Sequence, residues 1–177
     1  MRGKYIVVLC LAIILSSGIK VEAAVYVSGW DLVDIGKHLD YDGTSTYMNY
    51  VAAGASTWNG YKSGVIRRDS ALTVKDVDIV DVNANNGWSG MTYQSPQKIE
   101  LNKYYLSGAS NTKRTNVATH ELGHALGLAH STSNSIMDSG IAGHTTIQSM
   151  SQNDRDSYDY AYSNYWERRI KMLWSKK

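Results

Sequence analysis

Residues 120–130 read His-Glu-Leu-Gly-His-Ala-Leu-Gly-Leu-Ala-His, and this stretch says more about the chain than any other. Successive residues of a helix are rotated by about 100°, so His120 and His124 lie about 40° apart, one turn from each other. Two imidazoles on one face can reach the same metal ion. Glu121 lies near this side, whereas the apolar residues of the stretch face the other way. We therefore expect a helix with a metal-binding face and a core-facing side.

Gly127 explains how a third ligand reaches the ion. A straight helix would carry His130 past the metal along the helix axis. Glycine tolerates the left-handed conformation that ends helices, so the chain can turn at Gly127 and bring His130 back. Three neutral imidazoles leave one position of a tetrahedral zinc open, which is the arrangement of catalytic rather than structural zinc.

Glu121 has a defined task beside such an ion. It follows the first ligand but faces the open position, so it can act as general base on a zinc-bound water and later protonate the leaving amine. The predicted function is a zinc-dependent endopeptidase with one catalytic Zn²⁺. Its predicted ligands are His120, His124 and His130.

With these residues, the chain resembles the metzincin metalloproteases, whose signature is H-E-x-x-H-x-x-G-x-x-H followed by a methionine-containing turn. Met137, in Ser-Ile-Met-Asp at 135–138, matches the methionine of that turn. Ser131 and the stretch from Ser151 to Asp156 look most like the matrixin branch, in which a similar stretch opens the C-terminal helix.

The resemblance implies an α+β catalytic domain of α/β type. It would have a twisted, mostly parallel sheet with an antiparallel edge strand, two long helices, and a small C-terminal subdomain with a third helix. An edge strand would bind extended peptide substrate by main-chain pairing. The candidate strand alternates polar and apolar residues after Pro96. Its residues are Lys98, Ile99, Glu100 and Leu101.

Residue patterns before the motif predict the other elements. Helical spacing of apolar residues predicts a helix over 44–59, capped by Asp42 or Thr44 and stopped by Gly60. Short β-rich runs predict strands at 25–30, 64–67, 77–82 and 90–93. The stretches 31–43 and 107–115 are interpreted as loops. A strand set with flanking helices indicates one α/β or α+β domain.

The first 23 residues have the pattern of a secretory signal peptide. Arg2 and Lys4 precede an apolar run from Tyr5 to Leu15, and Ala23, or Ala24 one step on, is the small residue before the expected cleavage site. Eleven apolar residues are too few to span a membrane as a helix, which takes about 20. We therefore expect a secreted protein with a catalytic domain at 24–164 and a basic amphipathic tail at 165–177.

Net charge and cysteine content limit the partners and the chemistry that the protein can have. Loss of Arg2, Lys4, Lys20 and Glu22 with the leader would turn 18 basic and 16 acidic residues into 15 of each, so nucleic acid is not an expected partner. The single cysteine, Cys10, lies in the leader, which excludes disulfides and a thiol nucleophile from the remainder. The expected partner is a polypeptide substrate, and the expected state is a monomer.

Three assignments stay open. The tail places Trp166, Ile170 and Leu173 on one helical face among basic residues. It is either a helix packed on the domain with a charged outer side, the favoured interpretation, or a weak contact with an anionic surface. The acidic stretch 76–86 is a candidate calcium site, although acidic loops are more often solvated. Besides an endopeptidase, the motif also fits a zinc hydrolase of cell-wall peptides or a zinc-stabilised binding module without turnover.

Overall fold

The computed structural model describes residues 24–70 and 74–174. The predicted signal peptide, residues 1–23, lies outside the described residues. Five strands form one sheet in the order β2-β1-β3-β5-β4, and every neighbouring pair is parallel except β4 with β5. The strands are β1 (Leu39–Gly43), β2 (Ile66–Arg68), β3 (Val77–Val82), β4 (Gly90–Tyr93) and β5 (Lys98–Asn102). The predicted α+β class with a mostly parallel sheet and an antiparallel edge is confirmed.

The described residues outside the sheet include five α-helices and one 3₁₀ turn. They are α1 (Met48–Tyr61), the short α2 (Lys103–Leu106), α3 (Asn111–Ala125), α4 (Gln152–Ser163) and α5 (Tyr165–Trp174), with a single 3₁₀ turn at Ile141–Gly143. None of the helices in the described ranges is both long and apolar enough to cross a membrane.

The two long helices α1 and α3 pack closely on each other. Trp58 of α1 is fully buried, and its indole N–H donates to the main-chain oxygen of Thr119 on α3 at 2.9 Å. A Cβ at Gly54 would lie 2.9 Å from the Thr119 Cα, so only glycine permits this approach of the helices. The contact fixes α3, and with it the histidine motif, against α1.

The structure corrects the predicted substrate edge strand. Lys98, Ile99, Glu100 and Leu101 belong to β5, which pairs with β3 on one side and β4 on the other. Their backbone groups already serve two neighbouring strands, so this strand is internal and the prediction is wrong. The antiparallel edge strand is β4.

Other boundaries also differ from the predictions. The stretch 31–43, predicted to be a loop, contains β1. Helix α3 begins at Asn111, inside the second predicted loop at 107–115. The segment 25–30 forms only an isolated antiparallel bridge, between Val27 and Leu128, instead of a strand. Helix α1 begins at Met48 and runs past Gly60 to Tyr61, because a helical glycine ends a helix only where the backbone turns left-handed.

The C-terminal helix α5 packs on the domain, and its exposed side carries both charged and apolar residues. Tyr165 is buried, and Arg168 and Arg169 both reach Asp31 beneath the helix. The outer side is mixed: Glu167 and Lys171 form an exposed ion pair there, beside apolar residues with exposed fractions of 56% for Trp166, 54% for Ile170, 61% for Leu173 and 71% for Trp174. The helix is thus packed on the domain, as the favoured interpretation has it, but the charge on its exposed side comes from Glu167 and Lys171, because Arg168 and Arg169 point inward.

Candidate metal centre

Helix α3 supplies two histidines whose rings are oriented by backbone carbonyls. His120 Nδ1 lies 2.8 Å from the main-chain oxygen of Ile136, and His124 Nδ1 lies 2.9 Å from that of Leu128. A carbonyl oxygen can only accept, so each Nδ1 carries the hydrogen in the neutral ring. Each Nε2 is left with a free lone pair, which is the state that binds a metal.

The chain turns at Gly127, as the motif predicts. Gly127 has φ +96°, a left-handed conformation that suits glycine. Its N–H donates to the His124 carbonyl at 2.9 Å, and the Leu128 N–H donates to the Gly123 carbonyl at 3.0 Å. This pair of bonds is a Schellman motif, which satisfies the last carbonyls of α3. The turn brings His130 back toward the two helical histidines.

The three imidazoles converge. Their ring centroids are 4.7 Å apart for His120 and His124, 5.1 Å for His120 and His130, and 4.9 Å for His124 and His130. One nitrogen of each lies within 4.8 Å of the others. The Nε2 atoms of His124 and His130 are 3.3 Å apart, close to the spacing of about 3.3–3.4 Å expected for two nitrogens bound to one tetrahedral zinc at about 2.0–2.1 Å.

The electrostatics of the site favour the metal-binding form of the histidines. Burial, together with the neighbouring imidazoles, lowers the pKa of His120 to about 3. Burial also lowers the pKa of His124 to about 4. Both rings are thus neutral at and well below pH 7. Together with His130, these two rings form a cluster of three imidazoles whose geometry fits one zinc ion.

Glu121 lies beside this set but is held by the sheet. Its carboxylate is buried, and Thr92 on the edge strand β4 donates to its Oε2 at 2.7 Å. Burial raises the pKa of Glu121 to about 7, and the Thr92 hydrogen bond acts in the opposite direction. A Cβ at Gly90 would lie 2.7 Å from Glu121 Cγ, so glycine lets the edge strand approach the carboxylate.

Met137 lies beneath the histidine helix. It is buried, and its sulfur occupies the space that a side chain at Gly123 would need. The backbone around it is held by Asp154, which accepts from the Ile136 N–H at 2.9 Å and the Met137 N–H at 3.2 Å. Since the Ile136 carbonyl orients His120, the Asp154 carboxylate supports a predicted ligand through one peptide unit.

The supporting roles of Thr92 and Asp154 were not predicted from the sequence. The matrixin-like stretch from Ser151 indicated a helix start, and Ser151 does cap α4 in a capping box with Asp154. That pattern explains only part of the role of Asp154, since nothing in it shows the contact with the turn before α4. Thr92 carries no sequence signal beyond its place in a predicted strand.

The site opens into a cleft of about 410 Å³. Its floor is formed by α3 and the three histidines. One wall comes from β4 and the loop before it, and the other from the segment after Met137. The remaining lining residues include Trp30, Trp88, Met91, Val117, Ser139, Ile141 and Ala142. Residues 98–101, although predicted to bind substrate, are not among the described residues that line it.

His144 and the acidic stretch that begins at Asp76 lie outside the histidine cluster. His144 Nε2 lies 2.8 Å from Asp138 Oδ2, and so joins two ends of the loop that lines the cleft. In the acidic stretch considered for calcium, Asp76 lies near Asp34 and Asp40. Arg67 reaches both of these neighbours, at 3.5 Å and 2.6 Å, which partly neutralises the cluster.

Fold and site together define a zinc metallopeptidase of the metzincin type. The family model described as matrixin matches residues 36–163, well over half of the chain. The chain belongs to the matrixin family. No curated protein matches the chain closely enough to count as a relative.

Solved structures similar to this chain include two archaemetzincins. That from Methanopyrus kandleri has a TM-score of 0.53 and 13% identity, over 74% of this chain and 99% of the other. That from Archaeoglobus fulgidus has a TM-score of 0.43 and 14% identity, over 68% of this chain and 99% of the other. At such identity the likeness to the M. kandleri protein concerns the fold alone.

Proposed function

We propose that this matrixin is a secreted endopeptidase in which Glu121 is the general base. The observation that carries the proposal is the position of the Glu121 carboxylate, buried beside the three imidazoles but held by Thr92 instead of by a cation. Its pKa of about 7 is suited to accepting and returning a proton near neutral pH. A site with a merely structural metal has no use for such a group.

Substrate binding, zinc binding and proton transfer are then assigned to different residues. Among the described residues no strand pairs with the outer edge of β4, so this edge can pair with an extended polypeptide whose side chains enter the cleft. His120, His124 and His130 hold zinc, which when bound polarises the scissile carbonyl and makes water nucleophilic at neutral pH. Glu121 takes the proton from the attacking water and delivers it to the leaving amine.

Glu121→Gln tests the role directly. The amide keeps the shape of the side chain but cannot take a proton, so turnover should fall by about 10²–10⁴-fold while zinc content is retained. The matched control is Glu100→Gln on the internal strand β5, which should keep activity. Denatured protein and peptidoglycan, each with and without a chelator, are the substrates to compare. Full activity of Glu121→Gln would contradict the mechanism, and cleavage of peptidoglycan alone would favour a cell-wall hydrolase.

Secretion is the second part of the proposal, and the leader sequence supports it. Expression of the full chain in a secreting host should release a protein whose N-terminus begins at or next to Ala24, as N-terminal sequencing would show. Retention of residues 1–23 in the released or cell-bound protein would contradict cleavage at that point.

A weak contact of the tail with an anionic lipid surface is the third part. The exposed apolar residues of α5 support it, because two of them are tryptophans and the same tail carries three lysines, Lys171, Lys176 and Lys177, besides the two arginines that pair with Asp31. Sedimentation with anionic vesicles should fall when Trp166 and Ile170 are both changed to Ser. The control is Ile35→Ser, an exposed apolar residue elsewhere. Equal sedimentation of all variants would contradict the contact.

A further inference from the structure

Two segments outside the family match lie against the turn that carries the third histidine. Residues 26–32 run antiparallel to 125–129, immediately before His130. The pairing consists of three hydrogen bonds: Ser28 N–H to Gly127 O at 2.9 Å, Ala129 N–H to Tyr26 O at 3.0 Å, and Leu32 N–H to Ala125 O at 2.8 Å. The first two form the isolated bridge between Val27 and Leu128. This N-terminal segment therefore has a fixed position relative to the ligand turn.

Arg168 of α5 joins the second segment to the first. Its Nη2 lies 3.3 Å from the Trp30 carbonyl oxygen, 3.4 Å from that of Ser28 and 3.5 Å from that of Gly127. The same nitrogen lies 3.4 Å from the buried Asp31 carboxylate. A nearly buried guanidinium needs such oxygen partners, since its desolvation is otherwise costly. One side chain thus connects the tail, the N-terminal segment and the ligand turn.

Trp30 is the residue that this arrangement presents to the cleft. Its side chain is half-buried, packs on the core and lines the cleft with His124 and His130. Its backbone is held on both sides, because its carbonyl accepts from the Ser28 hydroxyl and also contacts Arg168, and because Leu32 is paired to the turn. The Arg168 side chain differs from the Ser28 hydroxyl in that it also contacts the Gly127 carbonyl of the ligand turn. A large flat ring with a fixed backbone can favour an apolar or aromatic substrate side chain.

We infer that Trp30 is a specificity-determining residue of the cleft and that Arg168 is its positioning residue. This inference rests on the proposed function, because it concerns the peptide that the cleft receives. The favoured peptide carries an apolar or aromatic side chain at the position beside Trp30. Selection by this wall depends on α5, a helix that lies beyond the matched family domain.

The first experiment measures selectivity by binding as well as by turnover. Trp30→Ala should lower the preference for apolar over small polar side chains, at one substrate position, by about 10-fold, as expected for a lost apolar contact. The change should appear in KM far more than in kcat. Dissociation constants of the same peptides, measured in the Glu121→Gln background, give the preference independently of turnover.

The second experiment tests Arg168. Arg168→Met should shift the preference at the same position, and the Trp30→Ala/Arg168→Met double variant should resemble Trp30→Ala instead of showing the product of both effects. Arg169→Met is the matched control, because Arg169 shares the Asp31 contact but contacts neither the Trp30 nor the Gly127 carbonyl. Zinc content and thermal unfolding identify a variant that fails to fold, and Arg168→Lys then replaces it.

The outcomes separate the two proposals. An unchanged peptide preference in Trp30→Ala, in binding and in turnover, overturns the role of Trp30. Independent effects of Trp30→Ala and Arg168→Met overturn the positioning role of Arg168. A wild-type protein that binds peptides selectively through Trp30 but does not cleave them would support this inference and contradict the proposed endopeptidase.

Discussion

The hydroxyl oxygen of Thr92 lies 2.7 Å from Oε2 of Glu121 and 3.0 Å from the main-chain oxygen of the same residue. The hydroxyl has one hydrogen and donates to one of these acceptors at a time. The edge strand of the sheet is thereby bonded to the residue that follows the first histidine. Its bond to the carboxylate favours the ionised form, against the burial that raises the pKa of Glu121 to about 7.

Thr92→Val should shift the pH dependence of activity. Without the hydroxyl the pKa of Glu121 rises, so the carboxylate is protonated at a higher pH on acidification. The acid limb of kcat/KM should move upward by roughly 1–2 pH units, by analogy with hydrogen bonds to charged groups. Thr92→Ser should restore the wild-type limb. A Val variant with an unmoved limb would show that this hydrogen bond does not act on the base.

Gly127→Ala should impair the metal site. The residue has φ +96°, and a Cβ there would collide with Arg168 and lie 3.1 Å from the Asp31 Cβ. We expect a loss of about 1–3 kcal/mol of stability and weaker zinc binding, because the turn carries His130. Gly60→Ala is the control, since that helical site has open space and should gain stability. Isothermal titration with zinc and urea unfolding measure both effects.

Asp154→Asn should weaken zinc binding from a distance. The buried carboxylate accepts from the Ile136 and Met137 N–H groups, and an amide nitrogen would oppose one of these donors. Since the Ile136 carbonyl orients His120, zinc affinity should fall by about 10–100-fold. The control is Asp156→Asn, whose contact is with Gln152 on the same helix. Unchanged zinc affinity in Asp154→Asn would argue against this support.

Asp76→Asn should stabilise the protein at neutral and alkaline pH. Burial, with repulsion from nearby Asp34 and Asp40, raises the pKa of Asp76 to about 6. Its contribution to stability is therefore fully present below its ordinary pKa of 3.8 and is lost as the pH rises through 6. The gain at pH 8 should be about 1 kcal/mol, allowing for partial exposure, and should vanish near pH 4. Asp42→Asn is the control, and an equal gain at both pH values would contradict the titration.

Much of the metal site could be predicted because the motif is local. The spacing of His120 and His124 fixes their relation on any helix, and Gly127 permits one sharp turn that explains His130. Glu121 follows from the same spacing. The supporting residues could not be predicted, because Thr92 and Asp154 reach the site through contacts with residues 29 and 18 positions away.

Sheet order was equally hidden from the sequence. Lys98 and Glu100 make β5 look like an edge strand, but the two side chains pair with each other on one face of an internal strand. The buried charge of Asp40 makes the β1 sequence look like a loop. In the structure this charge is compensated by Arg67 on the neighbouring strand β2. At both places, polar residues whose partners lie on other parts of the chain led to a wrong prediction from the residue pattern.

The convergence of His120, His124 and His130 has a mechanical side. The first two belong to α3 and the third follows the Gly127 turn, so a bound ion ties together both sides of that turn. Residues 24–177 contain no cysteine, and zinc can act there as the clamp that a disulfide provides elsewhere. At a free zinc concentration 1,000 times the dissociation constant, this linkage adds about 4 kcal/mol to stability. Loss of zinc would therefore lower the free energy of unfolding of the protein as well as remove its activity.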